Sequence, residues 1–250
     1  MRNLSEKYVE TADAADPAAP EWLGRLAHDL RGPIGPLQMS ARMLEDSSSL
    51  STTQVSELAK TIERQTSVLL QLAEELDDIS RISHDIFSLR RTPCDLRMIV
   101  DNAVAQASQH AHSIGRTARA VAVLAPTSPV LVDADEARLA QLIAQLVGAV
   151  APGQTTAECW IEWNPTHLQA VVRLRDSERR IYRSDAVNYL STGQSPIDPG
   201  TLSMASVIGH RIAVAHGAVI DTGDEVEGRI GELELRMPLA NTRTKNGLTC

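Results

Sequence analysis

The chain has 250 residues, 43% of them hydrophobic, which is enough for one or two compact domains, each with its own core. Thirty-two acidic against 24 basic residues give a formal charge of -8, which excludes a broad phosphate-binding face, because such a face needs clustered Lys and Arg. Three Trp, three Tyr and one Phe are too few for a stacking platform on single-stranded nucleic acid, so no nucleic-acid partner is expected.

Cys94, Cys159 and Cys250 have neither the even count of a disulfide framework nor the close spacing of a zinc site, so a reducing, cytoplasmic setting is expected. No apolar run reaches the roughly 20 residues needed to cross a bilayer, and the longest candidate, 139–151, is broken by Gln141 and Gln145. Membrane insertion is therefore not expected. Met1 to Glu10 lacks the apolar stretch of a signal peptide, and no sensor segment is recognisable.

Residues 1–20 are polar, end in an Ala/Pro stretch and are expected to form a flexible leader. From Glu21 onward Leu23, Leu26, Leu30, Ile34, Leu37, Ala41 and Leu44 recur at steps of three and four, the mark of an amphipathic helix. A polar turn at Ser47 to Ser51 separates it from a second helix carrying Val55, Leu58, Ile62, Leu69, Leu72, Leu76, Ile79 and Ile82. Two helices joined by so short a turn pack antiparallel, and one hairpin cannot bury both stripes. A homodimer forming a four-helix bundle is the expected solution. Periodicity alone would suit a bundle without chemistry equally well.

After Ser83 the texture changes. A helix is expected over 95–110, strands over 121–124, 130–132, 160–163, 169–174 and 232–237, and two further helices over 135–150 and 204–216. Strands interleaved with helices predict an α/β sandwich, so the fold class is α+β: a hairpin domain over 21–86, a sandwich domain over 90–240, and a tail over 241–250.

His28 lies about 160° around the first helix from its apolar stripe, at ~100° per residue, and so faces solvent. A lone histidine on a polar helix face is ordinarily just a solvated side chain. Its neighbours argue otherwise. Asp29 can hold one ring N–H and leave the other nitrogen as a nucleophile. Pro33 and Pro36 sit within the periodic segment, where each removes a helix hydrogen bond, and the ring of Pro33 crowds the Asp29 carbonyl. An interior proline disfavours a helix by roughly 3 kcal/mol, a cost that suggests a functional constraint.

His28-Asp29-Leu30-Arg31-Gly32-Pro33, set in its hairpin, resembles the H-box of the sensor histidine kinases. Ile79-Ser80-Arg81-Ile82 is similar to the end of the second family helix, and Asp95-Leu96 to the start of the family's ATPase domain. Asp135 to Gln141 is similar to the lead-in to the N-box. His216-Gly217 and the strand from Glu232 to Pro238 resemble the close of that domain. The resemblance covers about 21–240. It implies that His28 is the phosphoacceptor, that Asp29 orients or activates it, and that response-regulator receiver domains are the partners.

The resemblance would also bring ATP and magnesium, but the residues that should hold them are replaced. The metal-binding asparagine of the N-box falls on Ala149 and an earlier asparagine on Gln145, and magnesium demands oxygen ligands. Ala151-Pro152-Gly153 replaces the polar residues that follow. The first glycine loop reads Asp176-Ser177-Glu178-Arg179-Arg180. It retains Asp176, a vestigial adenine-binding position, and loses both glycines. Asp176 is then expected to be an exposed charge at a strand end. The glycines of the second loop fall on Thr201, Ser203 and Ala205, with Gly200 nearby, and the intervening lid, 182–199, is short. No cofactor is therefore expected. Gly32 stands where members that dephosphorylate their partner carry Thr or Asn.

These features predict a histidine phosphotransferase of a two-component phosphorelay, which exchanges a phosphoryl group between His28 and receiver aspartates without ATP. One alternative is a non-catalytic pseudokinase that regulates a partner histidine kinase or response regulator. The other is an active histidine kinase.

Overall fold

The computed structural model describes residues 21–45, 50–113, 115–150, 155–164, 166–179, 181–182, 184–192 and 204–240. The expected leader and tail, Ala151-Pro152-Gly153, Arg180, Gly200, Thr201 and Ser203 lie outside the described residues.

Two long helices open the fold: α1, Glu21–Glu45, and α2, Thr52–Ser83. They pack against one another as the expected hairpin. α1 runs through Pro33 and Pro36 as one helix. The start of α2 is set by a capping box. The Ser51 side chain accepts from the Gln54 backbone N–H, and the Gln54 side chain accepts from that of Ser51 at 2.8 Å.

α2 ends in a Schellman arrangement. Ile86 N–H donates to the Arg81 carbonyl at 2.9 Å and Asp85 N–H to the Ile82 carbonyl at 3.1 Å. Asp85 takes the left-handed conformation, φ 54°, that such a terminus needs, and Asp tolerates it better than most side chains.

The rest forms the α/β sandwich. Strand β1, Thr92–Asp95, leads into α3, Leu96–Ser113, then β2, Val121–Leu124, and β3, Leu131–Ala134. α4, Glu136–Gly148, is N-capped by the Asp135 carboxylate, which accepts from Arg138 N–H. β4, Ala157–Asn164, and β5, Gln169–Arg175, follow, then β6, Ile181–Tyr182, α5, Asp185–Thr192, and α6, Met204–His216. The chain finishes with β7, Val219–Thr222, β8, Glu225–Val226, β9, Arg229–Ile230, and β10, Glu232–Pro238.

The main sheet has the order β2-β4-β5-β10-β7, antiparallel except for the β2–β4 pair. Two small sheets, β1-β3 and β6-β9-β8, flank it. Side chains alternate across each strand. Cys159, Ile161, Val172, Leu174, Leu233 and Leu235 point inward and are buried with Leu96, Ile99, Leu139, Ile143, Ile208 and Ile212 from the helices. Each such burial stabilises the fold by roughly 1.5–3 kcal/mol.

The opposite face carries charges in matched rows. Arg173 on β5 is flanked by Glu162 on β4 and by Glu232 and Glu234 on β10, at 2.8–3.0 Å. The predicted strands and helices of this domain are present. Short elements, namely β1, β6, β7, β8, β9 and α5, add to them.

Candidate phosphoacceptor and nucleotide sites

His28 is in the second turn of α1, and its side chain is 85% exposed. Its Nδ1 lies 3.3 Å from Asp29 Oδ1. With the Nδ1 proton directed at that carboxylate, the lone pair is on Nε2, at the outer end of the ring. Pro33 is buried and Gly32 exposed, one turn further along α1.

Within the electrostatic reach of Asp29 is Glu75 of α2, only 8% exposed, whose carboxyl accepts from Gln71 Nε2 at 3.0 Å. Burial pushes its pKa above the usual carboxylate value, and the nearby charges of Asp29, Asp78 and Glu74 push the same way against the Gln71 hydrogen bond. The α2 side of the hairpin near Asp29 is therefore rich in carboxyl groups, with the neutral form of Glu75 favoured.

Much of the hairpin's apolar stripe is uncovered within one chain. Ile34, Met39, Met43, Val55, Leu70 and Leu76 are all exposed, Leu70 by 62%.

A cavity of about 1550 Å³ opens between α2 and the sandwich domain. Its walls include Glu74, Arg119, Arg138, Gln145, Ala149 and Ser206. Ala149 is the C-cap residue of α4 and offers only a methyl group. Gln145 Nε2 donates to the Ala205 carbonyl at 2.8 Å, tying α4 to the first turn of α6. The two helices approach closely at Gly209. A Cβ there would lie 2.8 Å from Leu190 Cδ2 and would collide with Gln145 Oε1.

The structure corrects one expectation. Asp176 is not an exposed strand-end charge: it is 2% exposed, and its carboxylate is paired with Arg119. Arg119 Nη2 reaches Asp176 Oδ1 at 2.9 Å, with side-chain exposures of 1% and 0%. The same nitrogen donates to Thr155 Oγ1 at 2.9 Å, and Glu178 N–H donates to Asp176 Oδ1 at 3.0 Å. Thr155 in turn donates to Glu178.

A carboxylate held this way is engaged inside the protein, because breaking the pair would strand a buried charge. Sequence reasoning missed Arg119, which lies 57 residues earlier in the segment between α3 and β2. Nothing local marks it.

Of the two positions where the resemblance would seat adenine and magnesium, the Asp176 carboxylate is paired with Arg119 and the Ala149 side chain offers no oxygen, so neither fits ATP or magnesium. Among the described residues no cluster of three or more His, Cys, Asp or Glu could hold a metal ion. None of the described helices is long and apolar enough to cross a membrane. Cys94 and Cys159 are free thiols.

Residues 21–85 match the His Kinase A (phospho-acceptor) domain. The chain is 29% identical over 128 residues to two-component system protein A of Emericella nidulans, covering 51% of this chain and 18% of that protein. It is also 29% identical over 148 residues to histidine kinase 2 of Arabidopsis thaliana, covering 59% and 12%. The chain thus spans less than a fifth of these relatives. Its fold is similar to that of the histidine kinase AdeS of Acinetobacter baumannii, with a TM-score of 0.54, 16% identity and coverage of 86% and 98%.

Proposed function

We propose that this chain, which carries the phosphoacceptor hairpin and ATPase-like domain of the sensor histidine kinase family, works as a histidine phosphotransferase. In this reading Nε2 of His28 attacks the phosphorus of a receiver's aspartyl phosphate. The P–O bond to the aspartate breaks, and its electron pair leaves with the regenerated carboxylate. The Nδ1 proton stays on the ring, hydrogen-bonded to Asp29, which stabilises the cationic phosphoimidazole. The reverse sequence on a second receiver passes the phosphoryl group on. No nucleotide takes part.

The observation that carries this reading is the contrast between an open, Asp29-oriented His28 and an adenine-side carboxylate engaged with buried Arg119. A kinase depends on positioning and neutralising a nucleotide's phosphates. A relay histidine needs only its nucleophile and a docking surface. The exposed apolar residues of α1 and α2 support a homodimer with a four-helix bundle.

The test is to mix the protein with a phosphorylated receiver and then with a second, unlabelled one. Label is expected on wild-type protein and then on the second receiver, with none carried by His28→Gln. Absence of label on the wild type would sink the phosphotransferase. If cellular output then survived His28→Gln, the pseudokinase reading would stand in its place. Incorporation from labelled ATP and magnesium above the His28→Gln control would instead establish a kinase.

A further inference from the structure

The segment joining the hairpin to the sandwich domain, residues 84–91, is fastened along its length. Its first turn is set by the Schellman hydrogen bonds at the end of α2, and Asp85 Oδ1 accepts from Arg211 Nη2 of α6 at 3.0 Å. The Phe87 ring lies against the Arg138 guanidinium, 5.5 Å from its centroid. Arg90 N–H donates to Asp135 Oδ2 at 2.9 Å, and the Arg91 guanidinium donates to the Ala215 carbonyl. A connector built as a loose linker would show few such ties.

Beside it, α2 and α4 are joined directly. Arg138 grips Asp78 in a two-pronged ion pair, Nη2 to Oδ1 at 2.6 Å and Nη1 to Oδ2. Asp78 is 3% exposed, so the carboxylate end of the pair is removed from solvent, while the Arg138 side chain is 28% exposed. A planar guanidinium bound through two nitrogens fixes orientation as well as distance. Asp78 is also only one helical turn from Glu75, the residue whose carboxyl feels Asp29. The grip is therefore close to the phosphoacceptor end.

We propose that Asp78 and Arg138 are positioning residues for phosphotransfer. Their ion pair, covered by Phe87, holds the ATPase-like domain in one orientation beside His28, so that the space a receiver must enter is kept clear. The inference rests on the phosphotransferase reading for its functional half. A released domain would sweep that space, and receiver binding would weaken while the chemistry at His28 and Asp29 stayed intact.

The test uses the full chain as Asp78→Arg, Arg138→Asp and the double swap, with Arg138→Gln as a milder variant. Amide hydrogen exchange of residues 84–91 is followed together with transfer from a phosphorylated receiver, and exchange in β5 and β10 reports whether the domain itself is folded. Exchange in the connector is expected to accelerate about tenfold or more in the single variants. KM for the receiver is expected to rise about fivefold or more with kcat within about twofold, and the double swap to restore both. If β5 and β10 also lose protection in the reversals, Arg138→Gln carries the test with the same expected directions. Connector exchange and KM within about twofold of wild type would overturn the proposal. If the wild type itself takes no label from the receiver, the phosphotransferase reading fails instead, and the exchange data alone decide the clamp.

Discussion

On the function proposed above, the hairpin and the sandwich domain stand in contrast. At the hairpin, the proposed acceptor His28 and its neighbour Asp29 are adjacent on a helix surface, with His28 open to solvent and its Nδ1 3.3 Å from the Asp29 carboxylate. In the sandwich domain, a nucleotide site of the kind the resemblance implies would need groups converging from a helix, two loops and a strand end, and the Asp176 carboxylate is instead tied to Arg119. An acceptor written into a few consecutive residues survives changes elsewhere. A site assembled from distant segments fails when any of them serves packing, as Gln145 and Arg119 do here.

The sharpest way to break this comparison is at His28. His28→Gln should abolish receiver-derived label, a loss of more than about 100-fold, while the unfolding midpoint stays within the ~0.5 kcal/mol expected of an exposed position. A large loss of stability would show that His28 is structural.

The opposite pattern is expected at Asp176. Asp176→Ala leaves Arg119 buried without its counter-ion and should destabilise the domain by about 3–5 kcal/mol. Replacing the pair together, Arg119→Met with Asp176→Leu, should recover most of that loss in denaturant unfolding. Neither change should alter transfer to His28 in chains that remain folded.

Asp29→Asn should slow transfer by about tenfold or more without changing stability, because the amide no longer holds a proton on Nδ1 by charge. An unchanged rate would remove Asp29 from the reaction.

The smallest effects are on pH, and the two regions should respond with opposite sign. The pKa of Glu75 is raised by burial, so its neutral form is favoured on folding. Its contribution is full below the unfolded value of about 4.5 and is lost as pH rises through the folded value. Glu75→Gln should therefore raise the thermal midpoint at pH 8 and not at pH 4. His216 is buried, donates from Nδ1 to the Ile212 carbonyl at 2.9 Å and accepts from Asp135 N–H at Nε2. Burial lowers its pKa, so its contribution is present above the unfolded value of about 6.5 and is lost as pH falls through the folded one. His216→Gln should flatten the acid side of the stability profile.

Local pattern carried much of this to the reader of the sequence. The bounds of α6 and β2 follow from their apolar runs, and the exposure of His28 follows from its angle on α1. β8 and β9 have two residues each, too few for any periodicity to show. Long-range pairing was equally illegible. Asp176 looked like a strand-end charge because its partner is 57 residues away, and the Asp78–Arg138 grip spans 60. Only folding brings such side chains together.

The Arg119–Asp176 pair also limits which substitutions this domain can accept. Freeing the Asp176 carboxylate requires removing Arg119, and that step alone leaves a buried, uncompensated Asp176 at a cost of about 3–5 kcal/mol. A typical domain is stable by only about 5–15 kcal/mol, so such a variant has little stability left. Single substitutions that break the pair are thus far less tolerated than those that leave it intact.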